Sequence, residues 1–511
     1  MARACFPGVP APQRKCTIAG CYRGQERDSL KFTVVSHACL YVESGDVNLM
    51  VDPWVVGSSY WRSWWNYPPV DGEAARKLRP THIFITHIHW DHFHGPSLRL
   101  YGKDVPIYIP QDRYDRMERD LRAMGFKNVT PVPHGRRVEL GPELAIQPYL
   151  FLPVTDTALV IETPAATLLD ANDCKICGLP LAQLIREHPR IDFAFRSHSS
   201  ANSRVCHRYL DRADTPVDDP GNYVRSFTNF MRAVSPRYAV PFASNHCHLH
   251  RDTVQFNDYI QTPLDVAARF ETIRQRESLP TELKVMLPGS SWSSNDGFTL
   301  VDTSAFDDRK SRLAAYAAEN ADKLGDYYRL ESKVSITTES MRAFFGPFMA
   351  SVPWLVRRTF RNRPIVIIAE GGAVPGQWSV DLHQQTVTPI EAAAAADAPA
   401  RIHVPSIVLR QSLRMNMFDH AAISKRVRYV ATSLLMPHLK RFELLLRAYE
   451  LEFLPLRRNL SLATLKTCLR RWRELVFYAQ VAGQLALGRK AVDIEQHMLV
   501  RLATRQRLNP G

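Results

Sequence analysis

The chain has 511 residues, 45% of them apolar and 23% charged, with a formal net charge of +14. That length predicts two to four domains, and the composition is that of a globular protein, which excludes a disordered or fibrous chain. No run is long and apolar enough to span a bilayer, since Leu475 to Gly488 is short and carries Gln480 and Gln484; no apolar signal segment opens the chain, so a cytoplasmic location is expected.

Nine cysteines are scattered along the chain, which is not the pattern of a disulfide framework. Cys174 and Cys177 form one CxxC without a matching second pair, and are read as ordinary thiols. The charge is uneven. From Lys440 to the end there are 14 Lys or Arg against 6 Asp or Glu, interleaved with Leu, Phe and Trp at helical spacing. This is read as the solvated face of amphipathic helices, and nucleic acid is not expected as a partner.

Residues 1–28 mix Pro, Gly, Cys and Arg and read as an irregular arm. Three short β-rich runs follow, "KFTVVS", "CLYVE" and "VNLMVD", with a turn at Ser44-Gly45-Asp46. A short helix over 73–78 leads through Pro80 into the strand "HIFIT". The strand "PIYIP", a helix over 112–124 ended by Gly125, and strands at 137–140, 144–147, 158–162 and 167–170 continue the pattern. A helix begins near Pro180, "IDFAFR" is a strand ending at His198, "NYVRSFTNFMRAV" is a helix, "YAVPF" is a strand running into "ASNHCHLH", and "LKVMLPG" closes the region as a strand. A layered α/β catalytic domain over 29–302 is expected. Residues 303–426 read as a helical connector and a smaller α+β unit, in which "RPIVIIAE", "QWSVDLH" and "RIHVP" are strands and "EAAAAADAPA" a loop; 427–511 read as a basic, all-helical region.

The segment 86–95, "THIHWDHFHG", places His87, His89, Asp91, His92 and His94 just past a strand end. Neutral imidazoles and carboxylates are the usual ligands of borderline divalent metals. His87 and His89, two residues apart, aim their rings the same way if the strand continues. Asp91 and His92 follow after one residue, where a tight turn can carry them to the far side. One metal can then take His87 and His89, and a second Asp91 and His92. Two such metals lower the pKa of a shared water. A two-metal centre needs ligands from later loops. Asp173 after "TLLDAN" suits a bridging carboxylate, and "NHCHLH" offers His246, His248 and His250, of which His246 is nearest the strand end. His198 ends another strand and is a candidate substrate-binding group on the same rim.

"THIHWDH" with its flanking strands resembles the metallo-β-lactamase superfamily signature. The resemblance implies an αββα sandwich with a metal site at one edge, holding one or two zinc or iron ions. It implies His87, His89, Asp91 and His92 as metal ligands, Asp173 as the bridging carboxylate and His246 as the final imidazole. Within that superfamily, "SHACLYVESGDVNLMVDPWVVGSSYWRSWWNYPP", "DTALVIETPAATLLDANDC" and "VPFASNHCHLH" are similar to the lactamase-like part of cytidine monophosphate N-acetylneuraminate hydroxylases. This chain lacks the two Cys-x-His ligand pairs that a Rieske iron–sulfur domain needs, so oxygenase activity would require a separate redox partner. The superfamily's third histidine is also missing. "QPYLFLPVTDT" holds none, and Asp156 is the residue that would compensate.

Two activities follow from the resemblance. The first is a metal-dependent hydrolase acting on a small, anionic substrate through metal-bound hydroxide, with Asp91 as the catalytic group that orients or deprotonates that water. The second is an iron-dependent oxygenase component acting on a sugar nucleotide or other biosynthetic intermediate. The aromatic run Trp54, Tyr60, Trp61, Trp64 and Trp65 lies on a loop that can roof the site, with Trp61 and Trp65 expected to touch substrate.

Overall fold

Along the strand Leu30–Val34, Leu30, Phe32 and Val34 are buried while Lys31 is exposed, the two-residue alternation of a strand with one face in a core. The computed structural model describes residues 29–113, 115–151, 156–199, 201, 203–212, 220–460, 462–486 and 491–508; the expected irregular arm 1–28 lies outside them. Leu30–Val34 belongs to a sheet with the spatial order Gly297–Thr299, Ser291–Ser293, Leu30–Val34, Leu40–Ser44, Val47–Val51, His82–Phe84, Ile107–Pro110 and Val129–Val132. Its first five strands pair antiparallel and the rest parallel. A second sheet runs Glu282–Leu283, Tyr238–Phe242, Phe193–Ser197, Thr167–Asn172, Asp156–Glu162, Leu144–Phe151 and Val138–Gly141.

The two sheets meet face to face. Phe32 packs edge-on to Phe193 and Phe195 across the seam, within one core that also holds Val42, Leu49, Phe84, Ile146, Leu159, Ile161, Val240 and Phe242. Each such side chain removed from water contributes about 1.5–3 kcal/mol. Helices cover both outer faces. Gly72–Lys77, Gly95–Leu98 and Arg116–Ala123 pack on the first sheet. Gly178–Glu187, Pro220–Val234, Pro263–Glu277 and the C-terminal Ala491–Leu508 pack on the second. The fold is the expected αββα sandwich.

A third sheet has the order His207–Tyr209, Arg428–Ala431, Ala400–Pro405, Ile365–Glu370, Gly376–Asp381 and Thr386–Pro389. Its edge strand, His207–Tyr209, comes from within the sandwich region and pairs parallel with Arg428–Ala431. The sheet therefore stitches the smaller α+β unit to the sandwich, and a boundary drawn at 426 passes through it.

Several local expectations need correcting. The segment after 427 is not all-helical, because Arg428–Ala431, with Tyr429 and Val430, inserts between two strands. The alanine-rich segment is not a plain loop: Ala392–Ala396 is a helix, as alanine's propensity favours. Of "LKVMLPG" only Leu283, the end of the strand Glu282–Leu283, is strand, and the chain turns away at Leu287 to Ser290. The helix expected over 112–124 begins at Arg116; Arg113 instead reaches across to the Leu451 carbonyl and the Phe453 ring. Cys174 and Cys177 are buried free thiols in the second sheet's outer core. The basic tail buries Phe477, Leu499 and Ala503 and leaves Leu462, Leu465, Leu469, Trp472 and Val476 exposed. No helix among the described residues is long and apolar enough to cross a membrane.

Candidate metal centre

The loop after His82–Phe84 owes its shape to a buried carboxylate. Asp52 accepts hydrogen bonds from the Thr86 amide (2.8 Å) and the Thr86 hydroxyl (2.6 Å), and its Oδ2 lies 2.6 Å from His92 Nδ1. The amides of His92 and Phe93 both donate to the His89 carbonyl, which is the tight turn that brings Asp91 and His92 back beside His87. His87 Nδ1 lies 3.0 Å from the Thr86 hydroxyl. With both Nδ1 atoms engaged on the outside, the two Nε2 atoms face inward. The ring centroids of His87 and His92 are 4.1 Å apart, and both Nε2 atoms are buried without a hydrogen-bond partner.

Carboxylates converge on these nitrogens from other strands. Asp173, just past Thr167–Asn172, puts Oδ2 3.4 Å from His92 Nε2. Asp91 Oδ2 lies 3.5 Å from His92 Nε2 and 3.1 Å from His37 Nε2, while Asp91 Oδ1 accepts from the Tyr60 hydroxyl at 2.5 Å. Asp156, the first residue of Asp156–Glu162, stands with His87 and His89. Three sets have ligand atoms all within 4.8 Å of one another: His87, His89 and Asp156; His87, His92 and Asp173; and His37, Asp91 and His92. Orphaned, inward-facing imidazoles beside three carboxylates fit one or two divalent cations, and the donor set requires nothing else.

The electrostatics are those of a site built for positive charge. Burial, then the neighbouring rings of His92 and His89, holds His87 well below its ordinary range. Burial would also lower His92, but the charges of Asp91 and Asp52 outweigh it and raise it well above. Burial pushes the Asp156 carboxyl up to about 6. Burial would raise Asp173 too, but its contact with His92 outweighs that and lowers it. A bound cation favours the neutral imidazole and the ionised carboxylate, the states that coordinate.

The sequence-predicted residues separate into those brought together and those not. His87, His89, Asp91, His92 and Asp173 converge. His246 lies one layer out, stacked on Trp64 at 3.7 Å with its ring centroid 5.5 Å from that of His37. Its Nε2 is buried without a partner, but it belongs to none of the three sets. The position beside Asp91 is taken by His37 instead. His94 stands at the residue before the helix Gly95–Leu98, its Nδ1 2.8 Å from the Ser97 hydroxyl. His250 faces Glu331 and Asp252.

The substrate-binding expectations change. His198 is fully buried and does not line the cavity over the metal loop. Trp61 does not line that cavity; its ring lies tilted against Trp90, and its indole N–H donates to Gln411. Trp65 packs with Tyr67, Leu249, Leu313 and Leu324 and donates to the Arg62 carbonyl. Of the aromatic run, Tyr60 alone reaches the cavity wall, because the run folds around the short strand Trp64–Asn66 instead of over the opening.

The cavity itself measures about 550 Å³. His89, Asp91, Asp156 and Asp173 form its floor. Its walls include Lys175, Arg204, Lys440 and Arg447, with Ala422, Ile423 and Leu444 as apolar cover. Asp419, on the helix Phe418–Ile423, sits 3.3 Å from His89 Nε2 and 3.3 Å from Arg447 Nε. Sequence reasoning missed His37, Asp419 and Arg447. His37 left one signal, a histidine immediately after the first strand in "SHACL".

Residues 32–173 match the metallo-beta-lactamase superfamily model. This stretch is a metallo-β-lactamase domain. Among curated proteins, the chain is similar to the cytidine monophosphate-N-acetylneuraminic acid hydroxylase of Mus musculus, 29% identical over 153 residues, which is 28% of this chain and 26% of that protein. The Xenopus laevis protein of the same name is 29% identical over 165 residues, 31% of this chain and 27% of that protein. The match thus spans about a quarter of the length of these relatives. Solved structures similar to it include Igni18, a metallo hydrolase from Ignicoccus hospitalis (16% identity, TM-score 0.35, covering 52% of this chain and 98% of that one). Another is CmlA, a diiron beta-hydroxylase from Streptomyces venezuelae (16% identity, TM-score 0.35, covering 52% and 54%). The metallo-β-lactamase domain holds all five residues of the first two sets and the third set as well, since His37 also falls within 32–173.

Proposed function

We propose that the chain is a metal-dependent oxygenase of the hydroxylase type acting on a small anionic substrate. The observation that carries this reading is Asp156. With His87 and His89 it makes two imidazoles and one carboxylate on one side of a shared centre, a donor set that non-haem iron takes and that catalytic zinc also takes, so iron is favoured by the donor set together with the hydroxylase similarity. The hydroxylases that share about 29% identity over part of the metallo-β-lactamase domain support the same class. His92 and Asp173 would serve a second cation, with Asp91 beside them. Bound iron would supply the electron-transfer chemistry that hydroxylation of a C–H bond needs. The overall balance is one O2, two electrons and two protons consumed, one hydroxyl group and one water formed, so the two electrons come from a separate redox partner.

The chain's own residues have definable tasks. Asp52 holds His92 with its Nε2 inward, and Thr86 does the same for His87. The Tyr60 hydroxyl, whose pKa burial and then Asp91 push well up, stays protonated and pins Asp91. Lys175, Arg204 and Lys440 give the cavity a positive wall for an anionic substrate, and Ala422 and Ile423 cover one side with apolar surface.

A second reading, a hydrolase, is favoured by the set His37, Asp91 and His92, two imidazoles and a carboxylate of the kind catalytic zinc takes. One experiment separates the two. Protein purified without added metal is analysed for metal content, and oxygen uptake is followed on adding ascorbate. Bound iron with reductant-dependent uptake, lost in Asp156→Ala, supports the oxygenase. Bound zinc with no oxygen uptake overturns it in favour of the hydrolase.

A further inference from the structure

Away from the metal centre, a cavity of about 320 Å³ opens between the loop after His246–His248 and the smaller α+β unit. It shares no lining residue with the cavity over the metal loop. We propose that it binds phosphate, either as the free anion or as a monoester on a small metabolite.

The helix Ser406–Met415 starts at this cavity. Pro405 precedes it, no side chain caps its first turn, and the first turn holds no acidic residue. The amides of such a turn are donors in search of an acceptor, and the helix dipole favours an anion there. A second observation is independent of the helix end. Ser406 is 1% exposed and lines the cavity, and its hydroxyl is buried without a hydrogen-bond partner. An orphaned hydroxyl in such a place costs free energy unless a ligand or water accepts from it.

The opposite wall is shaped to leave room. Gly371 has φ +68, and a Cβ on Gly372 would collide with the Ser406 hydroxyl and the Val334 carbonyl. The two glycines let the backbone pass close to the helix start without filling the space before it. Five cationic side chains line the cavity against three carboxylates. Arg426 is committed to Asp252 and Glu331, and Arg428 to Glu370. Arg251 is held more loosely, 3.9 Å from Asp252 and stacked over Tyr328, with its side chain 61% exposed. A phosphate dianion accepting from the Ser406 hydroxyl and the first-turn amides would draw Arg251 in.

The test is isothermal titration of the full chain with inorganic phosphate and, separately, with ribose 5-phosphate. Saturable binding that weakens at least tenfold in Ser406→Ala combined with Arg251→Ala, and is unchanged in Lys440→Ala, supports the site. Tighter binding of ribose 5-phosphate assigns a phosphate ester as ligand; equal binding assigns the free anion. Ser406→Asp introduces a negative charge where the helix dipole favours one and is expected to fold while abolishing phosphate binding. No saturable binding by the wild-type chain, affinity unmoved by the Ser406 and Arg251 changes, or affinity lost in Lys440→Ala instead, would each overturn the proposal. None of these readouts depends on which metal the other site holds.

Discussion

Asp52→Asn tests whether the carboxylate behind His92 sets the metal site. Asp52 has φ +47, a left-handed conformation that Asn adopts as readily as Asp, so the backbone has no reason to move. The Asn Oδ1 can still accept from the Thr86 amide. Its Nδ2 then faces His92 Nδ1, where Asp52 Oδ2 lies at 2.6 Å. Two donors cannot face each other there, so His92 must carry its proton on Nε2, the atom that should coordinate. In the metal-free protein a buried charge-assisted hydrogen bond gives way to a neutral one, a loss of at most about 1.5–3 kcal/mol. Metal affinity falls by roughly 10–100-fold, the usual cost of removing a partner behind a ligating His, which is about 1.4–2.7 kcal/mol. Competition with a chelator of known affinity reads the second quantity, and urea unfolding of metal-free protein reads the first. If the variant folds and its metal affinity stays within about twofold of wild type, His92 is not a ligand oriented by Asp52, and the reading of the centre fails with it.

Further outcomes follow from the same structure. Asp156→His restores three imidazoles around one side of the centre and is expected to raise the ratio of bound zinc to bound iron while eliminating any oxygen uptake; metal analysis and an oxygen electrode check both. Glu495→Ala leaves the fully buried guanidinium of Arg196 without the carboxylate 2.6 Å away, and should cost about 3–5 kcal/mol by denaturant unfolding. Burial alone would raise the carboxyls of Asp252 and Glu331, but Arg426 and His250 outweigh it and hold both below their ordinary range. Depressed carboxyls contribute stability that is complete above their unfolded pKa of about 4 and is lost as pH falls through the lower folded values. Arg426→Gln should therefore lower stability at pH 7 and flatten its decline between about pH 5 and 2, followed as urea midpoints.

Much of the sandwich was legible because its strands follow simple patterns. Leu30–Val34 alternates, and Asp156–Glu162, with the apolar run 158–161 at its centre, is nearly continuously buried because both its faces are covered. The histidine loop was legible because five His and Asp residues crowd into ten positions, although one of them, His94, serves the start of the helix Gly95–Leu98 instead. Asp156 was reached through the absence of a histidine where the superfamily has one. The remainder was hidden by chain separation. Asp419 meets His89 across 330 positions, and no local spacing encodes which distant helix closes over a loop. His37 was passed over because a single histidine after a strand is ordinary. Trp61 and Trp65 read as a roof because aromatic residues near a site suggest contact, whereas their indole N–H groups are spent on Gln411 and the Arg62 carbonyl. The strand Arg428–Ala431 was lost between two helical patterns, since four residues are too few to show a period.

Every residue of the three converging sets precedes position 174, while Asp419, Lys440, Glu443 and Arg447 on the cavity wall all follow position 418. The reactive floor and part of the recognising wall are thus inherited through separate halves of the polypeptide. Changes at Lys440, Glu443 and Leu444 on the helix Met436–Glu450 alter the cavity wall without touching the converging sets, whereas Asp419, 3.3 Å from His89 Nε2, ties the helix Phe418–Ile423 to the floor. If the proposed function holds, relatives that keep the histidine loop but diverge along Met436–Glu450 should differ in substrate and agree in chemistry.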